Sequence, residues 1–103
     1  MDDLQEYLES QIAKKIETAE KSNDLLTERM RTYQKQTSTK ATSEDAAFFI
    51  THHRNFVELL TLTTLYCQNF PEGLYTRSSL QKRANEWVRT SETNLIRMLE
   101  LGQ

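Results

Sequence analysis

Two glycines and one proline in 103 residues leave this chain few places to turn. Sheets need frequent reversals, and reversals draw on Gly, Pro, Asn and Asp. A chain with so few breakers builds a small number of long elements, and long helices are the natural form for them. The one Pro-x-Gly, in Asn69-Phe70-Pro71-Glu72-Gly73, divides the second half of the sequence.

Hydrophobic spacing places the elements. Leu4, Leu8, Ile12 and Ile16 recur every fourth residue, and the stripe continues through Ala19, Asn23, Leu26, Met30 and Tyr33. Alternating steps of three and four give a coiled-coil-like seam on a helix of about 2–35. Its first turn is acidic and its last basic, as the helix dipole favours. Glu17 and Lys21 stand in the favourable i,i+4 order. The polar run Gln36 to Ser43 has no apolar period and forms the first connection. Thr42 with Asp45, or Ser43 with Glu44 and Asp45, then starts a second helix over about 44–69.

That second helix carries two apolar stripes. Phe49, His53, Phe56, Leu60, Thr63, Cys67 and Phe70 make one, and Phe48, His52, Asn55, Leu59, Leu62 and Tyr66 make the other. A helix apolar on two faces belongs between two neighbours. The third helix, over about 76–101, starts at Thr76 or Ser78 and buries Leu80, Ala84, Trp87, Val88, Ser91, Leu95, Met98 and Leu99. The expected fold is therefore all-α: a single domain, 1–103, folded as an up-down-up three-helix bundle with a long first helix and room to oligomerise. In that topology Asp2, Asp3, Glu6 and Glu9 should lie near Arg77, Lys82 and Arg83. The first helix, at about 1.5 Å per residue, is roughly 10 Å longer than the others and should project beyond them.

Function is less legible. The formal net charge of -2 does not suit a nucleic-acid-coating protein. The start Met1-Asp2-Asp3-Leu4 has no basic region followed by an apolar run, so no signal peptide is expected, and Phe56 to Tyr66 is too short and polar to span a bilayer. A single cysteine, Cys67, fits a reducing, cytoplasmic setting. His52 and His53 have no metal-ligating residue three or four positions away except Asn55, a weak ligand, and adjacent helical positions point about 100° apart. Cys67 has no histidine at helical spacing and reads as a structural thiol. Glu17, Glu20, Asp24 and Glu28 contain no Glu-x-x-His and read as a solvated face. No catalytic set, metal site or cofactor is expected.

The reading that remains is a non-enzymatic interaction module, an adaptor, assembly factor or small regulator, that binds a protein partner or itself through helical faces. Its candidate contacts are Asn23, Leu26, Met30 and Tyr33 on the first helix, with Phe48 and Tyr66 on the second. A single Asn in an apolar seam often sets register between chains. The alternative is a nucleic-acid-associated regulator using Arg77, Lys82, Arg83 and Arg89. Thr37, Ser38, Thr39, Thr42 and Ser43 are hydroxyls open to phosphorylation, for which a plain polar loop is the simpler account.

Overall fold

A computed structural model describes residues 3–35 and 42–101. It contains three helices, α1 (Asp3–Lys35), α2 (Ser43–Asn69) and α3 (Leu80–Leu101), and no strand among the described residues. Asp2, Gly102 and most of the first connection, including Thr37, Ser38 and Thr39, lie outside the described residues.

The start of α2 is set locally. Thr42 has extended backbone angles, and its hydroxyl oxygen accepts from the Asp45 amide at 3.1 Å. One of the orphan amides of the first turn is thereby satisfied. At the other end the Phe70 amide donates to the Tyr66 carbonyl at 2.8 Å. Residues 70–79 then form an irregular connection, so α3 begins at Leu80, four residues later than the sequence reading placed it. The reason lies in the hydroxyls. Thr76 Oγ1 donates back to the Phe70 carbonyl at 2.6 Å, and Ser78 Oγ to the Tyr75 carbonyl at 2.8 Å. These bonds favour turns over helix. The first helical bond of α3 runs from the Arg83 amide to the Ser79 carbonyl at 3.0 Å.

The topology is up-down-up. α2 runs antiparallel to both neighbours and lies between them, as its two apolar stripes require. Its Phe48–Tyr66 stripe faces α1, where Tyr66 Oη donates to Glu9 at 3.0 Å and Glu58 pairs with Lys15. Its Phe49–Phe70 stripe faces α3, where the Phe56 and Trp87 rings lie 5.8 Å apart. The core joins Leu8, Ile12, Ala19, Leu26, Met30 and Tyr33 of α1 to Phe49, Phe56, Leu59 and Tyr66 of α2. Leu80, Ala84, Val88 and Met98 complete it from α3.

Three details of the sequence reading change. α1 does not project as a bare overhang. Gln5 and Glu9 reach Tyr66 near one end of α2, and Arg29 and Tyr33 reach Asp45 near the other. The expected pairing of α1's first acids with Arg77 and Arg83 is also replaced. Arg83 meets Glu20 at 3.7 Å, and Arg77 pairs with Glu72 inside its own connection. Residues 70–79 pack Tyr75 against Tyr66, which is bonded to Glu9, so α3 starts further along α1. Finally, the polar residue in α1's buried seam is Ser22, not Asn23, which is only half-buried.

Candidate functional site

Ser22 and Ser91 are the polar residues that α1 and α3 bury against α2, at 1% and 2% exposure. Each meets a histidine. His52 Nδ1 lies 2.7 Å from Ser22 Oγ, and His53 Nδ1 lies 2.5 Å from Ser91 Oγ. The angle of about 100° between adjacent side chains, which keeps the two imidazoles from sharing a metal, sends one to each flanking helix. Ser91 Oγ donates to the Val88 carbonyl at 3.0 Å, so it accepts from His53 Nδ1–H. Ser22 Oγ accepts from Asn55 Nδ2 at 3.2 Å, which leaves its proton for His52 Nδ1. Among the described residues no buried side-chain polar atom lacks a partner. The sequence reading missed these pins. The available signal was Ser91 in the α3 stripe and the equal fit of Ser22 or Asn23 to the spacing of α1.

A second polar cluster lies at the start of α2. Tyr33 Oη donates to Asp45 Oδ2, and Arg29 Nη1 donates to Asp45 Oδ1 at 3.2 Å. Burial, and then the bond to Asp45, push the Tyr33 phenol up to about 12. The same bond holds the Asp45 carboxyl below its ordinary range, with help from Thr42 and Arg29. Burial lowers the His52 imidazole.

These shifts set a pH profile. Unfolded His52 takes up its proton near pH 6.5, but folded His52 only at lower pH. Below about 6.5 the unfolded chain therefore binds more protons, and stability falls as pH falls until folded His52 is protonated too. At the alkaline end, Tyr33 contributes stability that is lost as pH rises from about 10 through about 12. Urea midpoints measured across pH should show both limbs. His52→Gln should flatten the acid limb below 6.5 and leave the alkaline limb in place; an unchanged acid limb would assign it elsewhere.

The proposed contact residues are mostly inside. Leu26, Met30, Tyr33 and Tyr66 are buried in the chain's own core, because α1 and α2 pack against each other along the seam that a partner helix was expected to fill. Phe48 is half-buried, with the Arg29 guanidinium 5.1 Å over its ring and His52 edge-on at 4.4 Å. Asn23 stands half-buried beside Ser22. The basic residues do not gather into a single stripe. Arg77 pairs with Glu72, while Arg83 meets Glu20 and lies 5.1 Å over the Trp87 ring, leaving Lys82 and Arg89 exposed on α3.

What the fold does leave open is the third face of α2, turned away from both neighbours. Ile50, Val57 and Leu65 are 46%, 38% and 43% exposed there. With Ala47, Arg54, Thr61 and Gln68, also exposed, they follow the three-four spacing of a helical seam. Open grooves flank the ridge. One of about 330 Å³ is lined by Lys15, Val57, Glu58, Thr61 and Leu62, and one of about 410 Å³ by Leu60, Thr61, Thr64, Leu65 and Gln68. The sequence reading missed this face because Arg54 and Thr61 interrupt it.

No protein-family model matches the chain, and neither curated proteins nor solved structures give a significant match. The site must be read from its own geometry. Among the described residues no group of three or more His, Cys, Asp or Glu could hold a metal ion. Cys67 is a partly buried free thiol. No helix of the described residues is long and apolar enough to cross a membrane.

Proposed function

We propose that this chain is a non-enzymatic protein-interaction module that docks another polypeptide helix on the outward face of α2. One observation carries the reading. α2 already spends two faces on its own bundle, yet its third face presents Ile50, Val57 and Leu65 in line, on a rigid helix and flanked by grooves. A helix apolar on every side is normally covered on every side. Single exposed apolar residues such as Leu74 and Ile96 need no such account, whereas an aligned ridge marks a contact surface. The lone thiol suits a reducing, cytoplasmic setting for such a protein.

A benzophenone side chain in place of Val57, with the chain expressed in its native cell, is the direct test. It should give a discrete cross-linked adduct, while the same group in place of Arg31, exposed on α1, should give none. Equal labelling from both positions, or none from either, would remove the reading. The nucleic-acid alternative is less well supported, since two of its four cations are already paired with carboxylates.

A further inference from the structure

We infer that the occupant of the α2 outward face is a second copy of this chain, packed antiparallel about a two-fold axis beside Val57. The inference rests on the docking face proposed above and names its partner. The face is its own complement. Ile50 lies seven residues before Val57, and Leu65 eight after it. An antiparallel two-fold passing between Val57 and Glu58 therefore sets Ile50 of each copy against Leu65 of the other, twice. The two Val57 side chains meet near the axis, and Ala47 faces Gln68. Isologous contacts of this kind close on themselves and bury the same residues in both copies.

Charge selects the orientation. Arg54 makes no ion pair among the described residues. Glu58 pairs with Lys15 through Oε2, which leaves Oε1 for a second cation. In the antiparallel register Arg54 faces Thr61 of the other copy and reaches the neighbouring Glu58, once on each side of the axis. In a parallel register Arg54 would face Arg54, and Glu58 would face Glu58. Like charges at such positions disfavour that pairing. The seam from Ala47 to Gln68 is about three heptads, or roughly 32 Å of helix.

Sedimentation equilibrium of the full chain, from about 1 μM to about 1 mM, reads the result. The expected mass climbs from 12.1 kDa toward twice that value. Val57→Glu, which brings like charges together on the axis, should hold the chain monomeric with its helical circular dichroism intact. Two charge variants then test the register. Arg54→Glu and Glu58→Lys should each weaken self-association at least tenfold. Mixed one to one they should recover it, since only the mixed pair brings opposite charges together at positions 54 and 58 on both sides of the axis. A wild-type chain that stays monomeric at 1 mM overturns the inference, as does a dimer indifferent to Val57→Glu or a mixture that does not recover. The docking face survives those outcomes if the benzophenone at position 57 still captures a different protein. It falls if that position captures nothing, or no more than position 31 does.

Discussion

Replacing Phe56 with alanine will cost the protein about 3–5 kcal/mol, the loss typical of emptying a phenylalanine site in a packed core. Phe56 is 1% exposed. It sits halfway along α2, in one cluster with Phe49 and Leu59, and its ring lies 5.8 Å from Trp87 of α3. α2 is the element both other helices lean on, so a void there cannot be closed by one helix settling onto its neighbour. The apolar share of the chain is only 37%, and domains of this size have about 5–15 kcal/mol to lose. The expected readout is a fall in melting temperature of at least roughly 12 °C, at about 4 °C or more per kcal/mol. Phe56→Leu, which refills most of the volume, should lose far less. A loss below about 1 kcal/mol for Phe56→Ala would mean that α2 and α3 do not pack at this point.

Gly73→Ala should also destabilise, against the usual sign for glycine in a connection. Gly73 has no positive φ, so alanine suits its backbone. Restricting the unfolded chain would ordinarily gain about 0.4–1 kcal/mol. The obstacle is space. A Cβ at position 73 would collide with Tyr66 Oη and stand 2.6 Å from Cε1 and Cζ of the same ring. Tyr66 cannot swing aside. It is fully buried, bonded to Glu9 and Gln5, and flanked by the Phe70 and Tyr75 rings at 5.4 and 5.6 Å. Overpacking of this kind costs about 1–3 kcal/mol. The cost belongs to the ring, so Gly73→Ala should be nearly harmless in a Tyr66→Ala background. Urea denaturation of the four chains in that cycle should give a coupling of about 1 kcal/mol or more; strictly additive losses would place the conflict elsewhere.

Both predictions depend on contacts the linear chain only half disclosed. The stripe of Phe49, Phe56 and Phe70 was legible as one face of a helix, and the stripe of Phe48, Leu59 and Tyr66 as another. Their simultaneous presence correctly placed α2 in the middle. Gly73 was legible as part of a stop signal, but the room that Tyr66 requires there was not. The docking face was the hardest to see. Its apolar residues are separated by Arg54 and Thr61, and three residues over about four turns do not stand out on a helix that is apolar elsewhere. The residues first favoured for partner contact, Leu26, Met30, Tyr33 and Tyr66, carry the right chemistry for an interface. The interface they form is the chain's own contact between α1 and α2.

Local physics could be read in advance. The scarcity of breakers, the turn-by-turn recurrence of apolar residues and the Thr42 cap depend only on neighbours within a few positions, and they determined three helices and most of their ends. The late start of α3, the choice of Ser22 over Asn23, the two histidine–serine pins and the open face of α2 were decided only in three dimensions. Burial is not a property of a residue but of what lies across from it. Here the residues that lie across are about 30 to 60 positions away, at a distance no helical spacing reports.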